Sequence, residues 1–502
     1  NLGLQVSFAA GEKPDFQGRD VEDGTTQPGL LDGYLPIVEI TIRRAGAVLR
    51  QEAFATDERG SCLARAWNSP VFLRVRFTVV EPGAGGSPIR LWAQLAKNHV
   101  HYRNDTKANI RILPTAPLYG QKLRADGQQL VDPEGRIVMY ASQGFRFHPQ
   151  LPDALNSVAL REFQLDKNLV ELSLARQAGA VVELVFPFLP AQREQMAPVL
   201  PVGHDQARQS LRQCWSDEIG RGMQVQLPEA HLNNLWRFNV PLTFIVADSY
   251  PNGDRVFKLS PHHYEAYWPT PMTEGLQELG QRGYFHEVAA YLEPFLDADR
   301  RRPVPNTGRS FMTTKGFISG PTEHLDFCWL SDNGAILWAV AEYYLLSRDE
   351  AYLKRWLPSL LASLEWIARE RQNTRLKGGL DAGLLPAGRA SDVSLTAPGV
   401  RSEQANYVWS DAWNYRGLAT VTKVLERIKH PDAPRWARER DDYRATFQKT
   451  FRQVTRKTIR WVDPSGQEIP LVPWELEQTN ADSLHWFYLD SGPLVLGLMG
   501  LV

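Results

Sequence analysis

The feature that most limits the fold is a change of hydrophobic period near residue 200 of this 502-residue chain. Before it, "LPIVEITIRR" (Leu35–Arg44), "AVLRQEAFAT", "VFLRVRFTVV" (Val71–Val80), "IRLWAQLA" and "AVVELVFPFLP" alternate apolar with polar residues or run apolar over strand lengths. Turn clusters such as "EPGAGGSP", "RADGQ" and "DPEG" separate them. After it, apolar residues recur at i, i+3, i+4 and i+7, as in Ile336, Ala339, Val340, Tyr343 and in Leu357, Leu360, Leu361, Leu364. Leu418, Val421, Thr422, Leu425 repeat the pattern. A strand sends successive side chains to opposite faces, whereas a helix returns to one face after three or four residues. The two parts therefore need separate layers. The expectation is an α+β multidomain chain: a β-sandwich over residues 1–203, a helical linker over 204–227 ("HDQARQSLRQCWSDEIGRG") and helical hairpins over 228–502.

About eight helices of ordinary length fit between Pro228 and Val502. No short exact repeat is visible, which favours a closed toroid of hairpins over an open array. The closing "DSGPLVLGLMGLV" ends apolar and uncapped, so the toroid is expected to be incomplete within these residues.

Charge excludes some partners. A net charge of −1 with both signs interspersed gives no basic footprint for nucleic acid and no electrostatic pull toward a membrane surface. No apolar run reaches the ~18–20 residues of a transmembrane helix. Cys62, Cys214 and Cys328 are odd in number and far apart, so neither a disulfide framework nor a CxxC metal site is expected. The chain begins "NLGLQVSF", without methionine or signal peptide. A leader removed or lying upstream would suit a periplasmic or secreted protein better than a cytoplasmic one. Oligomeric state is not legible.

Chemistry-bearing residues gather at four helix entrances. The first is "SPHHYEAYWPTPMTEGLQELG", with Glu265, Tyr267 and Trp268. The second is "PTEHLDFCWLSDNGAILWAV", with Asp326, Trp329 and Asp332. The third is "GLLPAGRASD", ending in Asp392, followed by "GVRSEQANYVWSDAWNYRGL" with Glu403, Trp409, Asp411 and Trp413. The fourth is "VPWELEQTNADSLHWFYLD", with Trp474, Glu475, Glu477 and His485. Singly, each has a bland explanation: an acid before a helix is usually a cap, and an aromatic there is usually core or a staple. Together, in a barrel of hairpins, they would line one bowl. The 15 Trp and 16 Tyr then matter, because flat rings with polar edges suit sugars as well as cores. Carboxylates for acid/base work and rings to hold sugars are what glycoside chemistry needs.

In these segments and their order, the chain resembles the six-hairpin (α/α)6-barrel glycoside hydrolases, the group of glucoamylases, trehalases and α-L-rhamnosidases. "WLSDNGAILWAVAEYYLLSRDEAYLKRWLPSLLASLEWI" looks like one of their hairpins nearly throughout. "GLLPAGRASD" is similar to the connection where they present the general acid, and "YVWSDAWNYRGLA" to the next helix. The resemblance implies an inverting O-glycosyl hydrolase with an oligo- or polysaccharide substrate and no cofactor or metal. Asp392 would be the general acid, with Glu403 as its named substitute. Glu265, Trp268, Trp329, Asp332, Trp409 and Asp411 would bind substrate. Arg389 beside Asp392 would depress its pKa, which counts against it. Where relatives carry Arg-Asp after the Trp, this chain has Thr270-Pro271, and the late hairpins that supply the general base are expected beyond these residues.

Other patterns are weaker. His99 and His101 share a strand face without a third metal ligand, and adjacent His262 and His263 point apart. Asp441–Asp442 lies in a charged, solvated-looking helix. P-loop, GxGxxG, GxSxG and HExxH motifs are absent. The rival readings are a sugar phosphorylase of the same architecture, a polysaccharide lyase and a non-catalytic carbohydrate-binding protein.

Overall fold

The structure is a computed structural model that describes residues 4–14, 16, 26–63, 68–97, 122–158, 161, 167–258, 266–303, 315–325, 328–389, 405–477 and 493–502. The chain divides near Pro251 into two compact units.

The first unit holds two antiparallel sheets. One pairs β1 (Leu4–Ala10), β6 (Ile89–Lys97), β11 (Lys167–Leu174) and β10 (Arg146–Gln150), in that order. The other runs β2 (Thr26–Leu31), β3 (Leu35–Arg44), β4 (Ala47–Asp57), β5 (Val71–Glu81), β12 (Val181–Pro187), β9 (Ile137–Ala141), β8 (Gln129–Val131) and β7 (Arg124–Asp126). Period-2 alternation gives each sheet an apolar face, and the faces share one core: Leu91, Ala93 and Leu95 of β6 and Val170 and Leu172 of β11 join Leu49, Val75, Phe77, Met139 and Leu184. Each such buried Leu, Val, Phe or Met side chain contributes about 1.5–3 kcal/mol. Between β3 and β4 the two-residue turn Ala45-Gly46 has both residues at positive φ, 51° and 71°, matching the twist of the strands it joins.

Helices α1 (Arg193–Met196), α2 (His204–Arg221) and α3 (Ala230–Ile245) follow within the same unit. On α2, His204, Ala207, Leu211, Trp215 and Ile219 form one buried stripe at helical spacing. Burial pushes the His204 imidazole down to about 3. Cys214 of α2 is disulfide-bonded to Cys62, their Cα atoms 5.8 Å apart, which corrects the expectation of no disulfide. The sequence separation of 152 is why spacing gave no sign of it. Asp57 accepts the backbone N–H groups of Arg59 and Ser61 at 2.8 and 2.7 Å, shaping the loop that presents Cys62. On the chain-entropy account, closing so long a loop stabilises by about 5 kcal/mol.

The second unit is helical: α4 (Pro269–Arg282), α5 (Phe285–Leu292), α6 (Leu330–Ser347), α7 (Glu350–Lys377), α8 (Val408–Arg427), α9 (Ala433–Thr455) and α10 (Pro493–Met499). Gly283, at φ 91°, ends α4, and Arg348, at φ 62°, ends α6. Asp349 then caps α7 by accepting from Tyr352 N at 2.9 Å. Residues Leu330–Leu337 of α6 are all buried, which makes this the central helix. It crosses α8 with almost no side chain between them. A Cβ on Gly334 would lie 2.3 Å from the carbonyl of Trp413, and one on Gly417 would lie 2.6 Å from the oxygen of Gly334.

Buried amides fix the register of that crossing. Asn333 Nδ2 donates to Asn414 Oδ1 (3.0 Å), while Asn333 Oδ1 accepts from Ile318 N (2.9 Å) and Ser363 Oγ (2.6 Å). Asn414 Nδ2 donates to the carbonyls of Leu330 and Ser410 at 2.8 and 2.9 Å. Every polar atom of the amide pair is engaged, so its burial does not destabilise. No helix among the described residues is long and apolar enough to cross a membrane.

Candidate functional site at the helix entrances

Backbone hydrogen bonds join the four entrances into one face of the helical unit. Tyr267 N donates to His324 O at 2.7 Å, and the Trp268 and Trp329 rings, N-caps of α4 and α6, lie 5.3 Å apart. Leu330 N at the start of α6 donates to Arg389 O at 3.0 Å, tying the second entrance to the third. Gly388 N donates to Ala405 O at 3.1 Å, so the chain leaving the "GLLPAGR" loop returns beside it. Val408 N at the start of α8 donates to Trp474 O, and Leu476 N to Asn406 O, both at 2.9 Å. The positive ends of α4, α6 and α8 thus meet at one place.

Aromatics line this face. Trp268 and Trp329 are each 5% exposed, and half-buried Trp409 leads through Trp413 (5.6 Å) to Trp338 (5.7 Å). Trp474 packs with Tyr407 and Ala405. The ring nitrogens of Trp329 and Trp409 have no hydrogen-bond partner among the described residues. Such orphaned donors in a buried setting call for a ligand or water.

Asp332 is fully buried at the third residue of α6. Its Oδ2 accepts from Trp329 N at 2.9 Å, closing the first turn, while Oδ1 has no hydrogen-bond partner among the described residues. Burial pushes its carboxyl up to about 8, against the pull of the Arg302 charge. Between about pH 4 and 8 the folded chain therefore holds a proton that the unfolded chain has lost. Stability from this group is full below pH 4 and declines as pH rises through the window. Asp332→Asn cannot ionise, so its unfolding free energy relative to wild type should rise between pH 5 and 8.5, as read from urea midpoints. A difference constant with pH would contradict a neutral Asp332.

Asp411 is also fully buried, and burial pushes it up to about 7. It does not cap α8. Its Oδ1 accepts from Leu385 N at 3.0 Å and from Tyr443 Oη at 2.6 Å. Tyr443 lies on α9 and carries the guanidinium of buried Arg371, 4.1 Å above its ring. Arg371 pairs with Glu439 and, at 2.9 Å, with Asp442. The acidic Asp441–Asp442 step thus anchors an arginine through Asp442, while Asp441 pairs with Arg440.

Of the residues singled out in the sequence, Trp268, Trp329, Asp332, Trp409 and Asp411 come together here. Glu265, Asp392 and Glu403 lie outside the described residues, as do His99, His101, His262, His263, Asp326 and His485. Asp392 follows Arg389 by three residues and Glu403 precedes Ala405 by two, so both belong to the segment whose ends meet at Gly388 and Ala405. Sequence reasoning missed Arg371, Asn406 and Tyr443, which sit in helix interiors or beside a cap without motif spacing.

One group of metal-ligating type occurs among the described residues, Asp254, Glu323 and His324. His324 Nε2 lies 2.8 Å from Asp254 Oδ2, and the Arg300 guanidinium pairs with both carboxylates. That guanidinium already supplies the positive charge a cation would bring.

No protein-family model matches the chain, and no curated protein matches it. Among solved structures it is similar to a GH92 family glycosyl hydrolase, at 12% identity over 92% of this chain and 56% of that one, TM-score 0.31. It is also similar to a family GH92 α-mannosidase from Bacteroides thetaiotaomicron, at 10% identity over 94% and 58%, TM-score 0.34. A third is a GH78 family rhamnosidase of Bacillus sp. GL1, at 11% identity over 88% and 36%, TM-score 0.39. The chain thus spans between about a third and three-fifths of the length of these structures.

Proposed function

We propose that the chain belongs to a glycoside hydrolase that cleaves an oligo- or polysaccharide by an inverting acid/base mechanism. The observation that carries this reading is the convergence of the four entrances, which brings indole rings and buried carboxylates to one face, where Gly388 and Ala405 flank Asp392 and Glu403 in sequence. Two sheets sharing one core support a β-sandwich, and hairpin helices whose N-termini meet support a toroid of the six-hairpin type. Asp392 is assigned as the proton donor to the leaving oxygen, with Glu403 as the alternative donor. Trp268, Trp329 and Trp409 offer ring faces to the sugar, Trp329 and Trp409 also N–H donors, and Asp332 and Glu265 offer oxygens to its hydroxyls. In an inverting enzyme the donor and the base that activates water stand ~6.5–9.5 Å apart. The Cys62–Cys214 bond supports a secreted or periplasmic location, where disulfides persist.

The test is turnover of a panel of aryl glycosides, with the anomer of the first-formed sugar read by NMR. Inversion is expected. Retention of configuration would overturn the inverting mechanism. Phosphate-dependent cleavage would favour a phosphorylase, and an unsaturated product absorbing in the near ultraviolet a lyase. Sugar binding without turnover would leave only a lectin-like role.

A further inference from the structure

The loop Gly383–Gly388 is buried throughout, which is unusual for a connector, because a buried loop must find partners for its own backbone. Here it finds them mostly in side chains. Gly383 N donates to Thr374 Oγ1 (3.1 Å), and Gly383 O accepts from Arg371 Nε (2.8 Å). Leu384 N donates to Asp381 O (2.8 Å), and Leu384 O accepts from Thr374 Oγ1 (2.7 Å). Leu385 N donates to Asp411 Oδ1, and Leu385 O accepts from Asn406 Nδ2, both at 3.0 Å. All six backbone groups of three residues are held, five of them by side chains from α7 on one side and the α8 entrance on the other.

Packing alone does not require such a cage. A loop that had only to turn the chain could lie at the surface with its backbone hydrated. This one is clamped four residues before Arg389, whose carbonyl receives the α6 N-terminus, and seven before Asp392. We infer that Asp411 and Tyr443 are positioning residues: their linked hydrogen bonds to Leu385 N set the path of the loop and so the place of Arg389, whose carbonyl receives the α6 N-terminus that carries Trp329 and Asp332. Tyr443 Oη donates to the same Oδ1 that receives Leu385 N, so the phenol orients the carboxylate, and Arg371 over the Tyr443 ring fixes the phenol. The effect on catalysis rests on the hydrolase reading above; the clamping of the loop does not.

The experiment compares wild type with Tyr443→Phe, Asp411→Leu and Asp411→Asn. Asn keeps an acceptor for both donors, and Leu has none. Amide hydrogen exchange of the peptide containing Leu385 should quicken in Tyr443→Phe and Asp411→Leu and stay near wild type in Asp411→Asn. On a cleaved aryl glycoside, kcat should fall about 10-fold in Tyr443→Phe and about 100-fold in Asp411→Leu, with KM within twofold, because misplacement of about 1 Å costs on that order. Asp411→Asn should recover most of kcat. Unchanged exchange in folded Tyr443→Phe would overturn the clamp, and it is read even if Asp411→Leu does not fold. Quickened exchange with kcat intact would overturn positioning. An Asp411→Asn as impaired as Asp411→Leu would also overturn it, since the charge and not the acceptor would then matter. If wild type cleaves no glycoside, the hydrolase reading fails while the exchange data still decide the clamp.

Discussion

Asp392→Asn is expected to lower kcat by about 10²–10⁴-fold on glycosides with poor leaving groups, the range that positioned proton transfer contributes. The same variant should lose far less on a dinitrophenyl glycoside, whose departing phenolate needs no proton. This contrast is the signature of a general acid, and it separates that role from substrate binding, which would raise KM for both leaving groups alike. Glu403→Gln is the paired measurement, and if Glu403 is the donor the leaving-group contrast moves to that variant. The two residues enter together because the segment carrying them closes at the Gly388–Ala405 hydrogen bond. Losses of threefold or less in both variants, on all leaving groups, would remove the acid from this segment altogether.

Gly334→Ala should be among the most destabilising single methyl additions available to the helical unit. The new Cβ would meet Trp413 C and O at 2.3 Å and Asn414 N at 2.4 Å, all backbone atoms of α8 that cannot rotate aside. Overpacking against yielding side chains typically costs 1–3 kcal/mol, and a backbone obstacle should push the loss to about 3 kcal/mol or more. Helix propensity works the other way by about 1 kcal/mol and does not offset it. Gly220→Ala in α2 is the control, because nothing lies within 4 Å of its Cβ, and there propensity alone should stabilise by about 0.5–1 kcal/mol. Urea midpoints at unchanged m-value report both. A Gly334→Ala loss below about 1 kcal/mol would mean that the helices separate easily.

How far the sequence could be read depended on the range of the interaction. Strand β3 was legible at Leu35–Arg44 because alternation and turn residues are local, whereas α2 was read only as a polar helical linker and its buried stripe went unread. The burial of Ile336, Ala339, Val340 and Tyr343 followed from their spacing in the same way. Bonds between distant residues left no such trace. Cys62 and Cys214 pair across 152 residues, and Asp411 answers Leu385 and Tyr443, 26 and 32 positions away. An acid near a helix start looks the same in sequence whether it closes its own first turn, as Asp332 does, or reaches into a neighbouring loop, as Asp411 does. The glycines of "SDNGA" and "YRGLA" could have been noticed as small residues inside helices, where they cost stability unless something needs the space.

The glycine crossing also sets a mechanical scale. From Gly334 to Trp329 is five residues and from Gly417 to Trp409 eight, arms of about 7.5 and 12 Å at helical rise. A 10° swivel of either helix about the contact would move those indoles by only about 1.3 and 2 Å. On α6 the fulcrum sits close to the working end, with about 20 Å of helix beyond it to Ser347, so rocking that sweeps the far end reaches Trp329 reduced to less than half; on α8 it sits near the middle, and both ends move by similar amounts. Insertions at the far end of α6 should be tolerated for the same reason, leaving Trp329 in register while the opposite face of the helical unit diversifies.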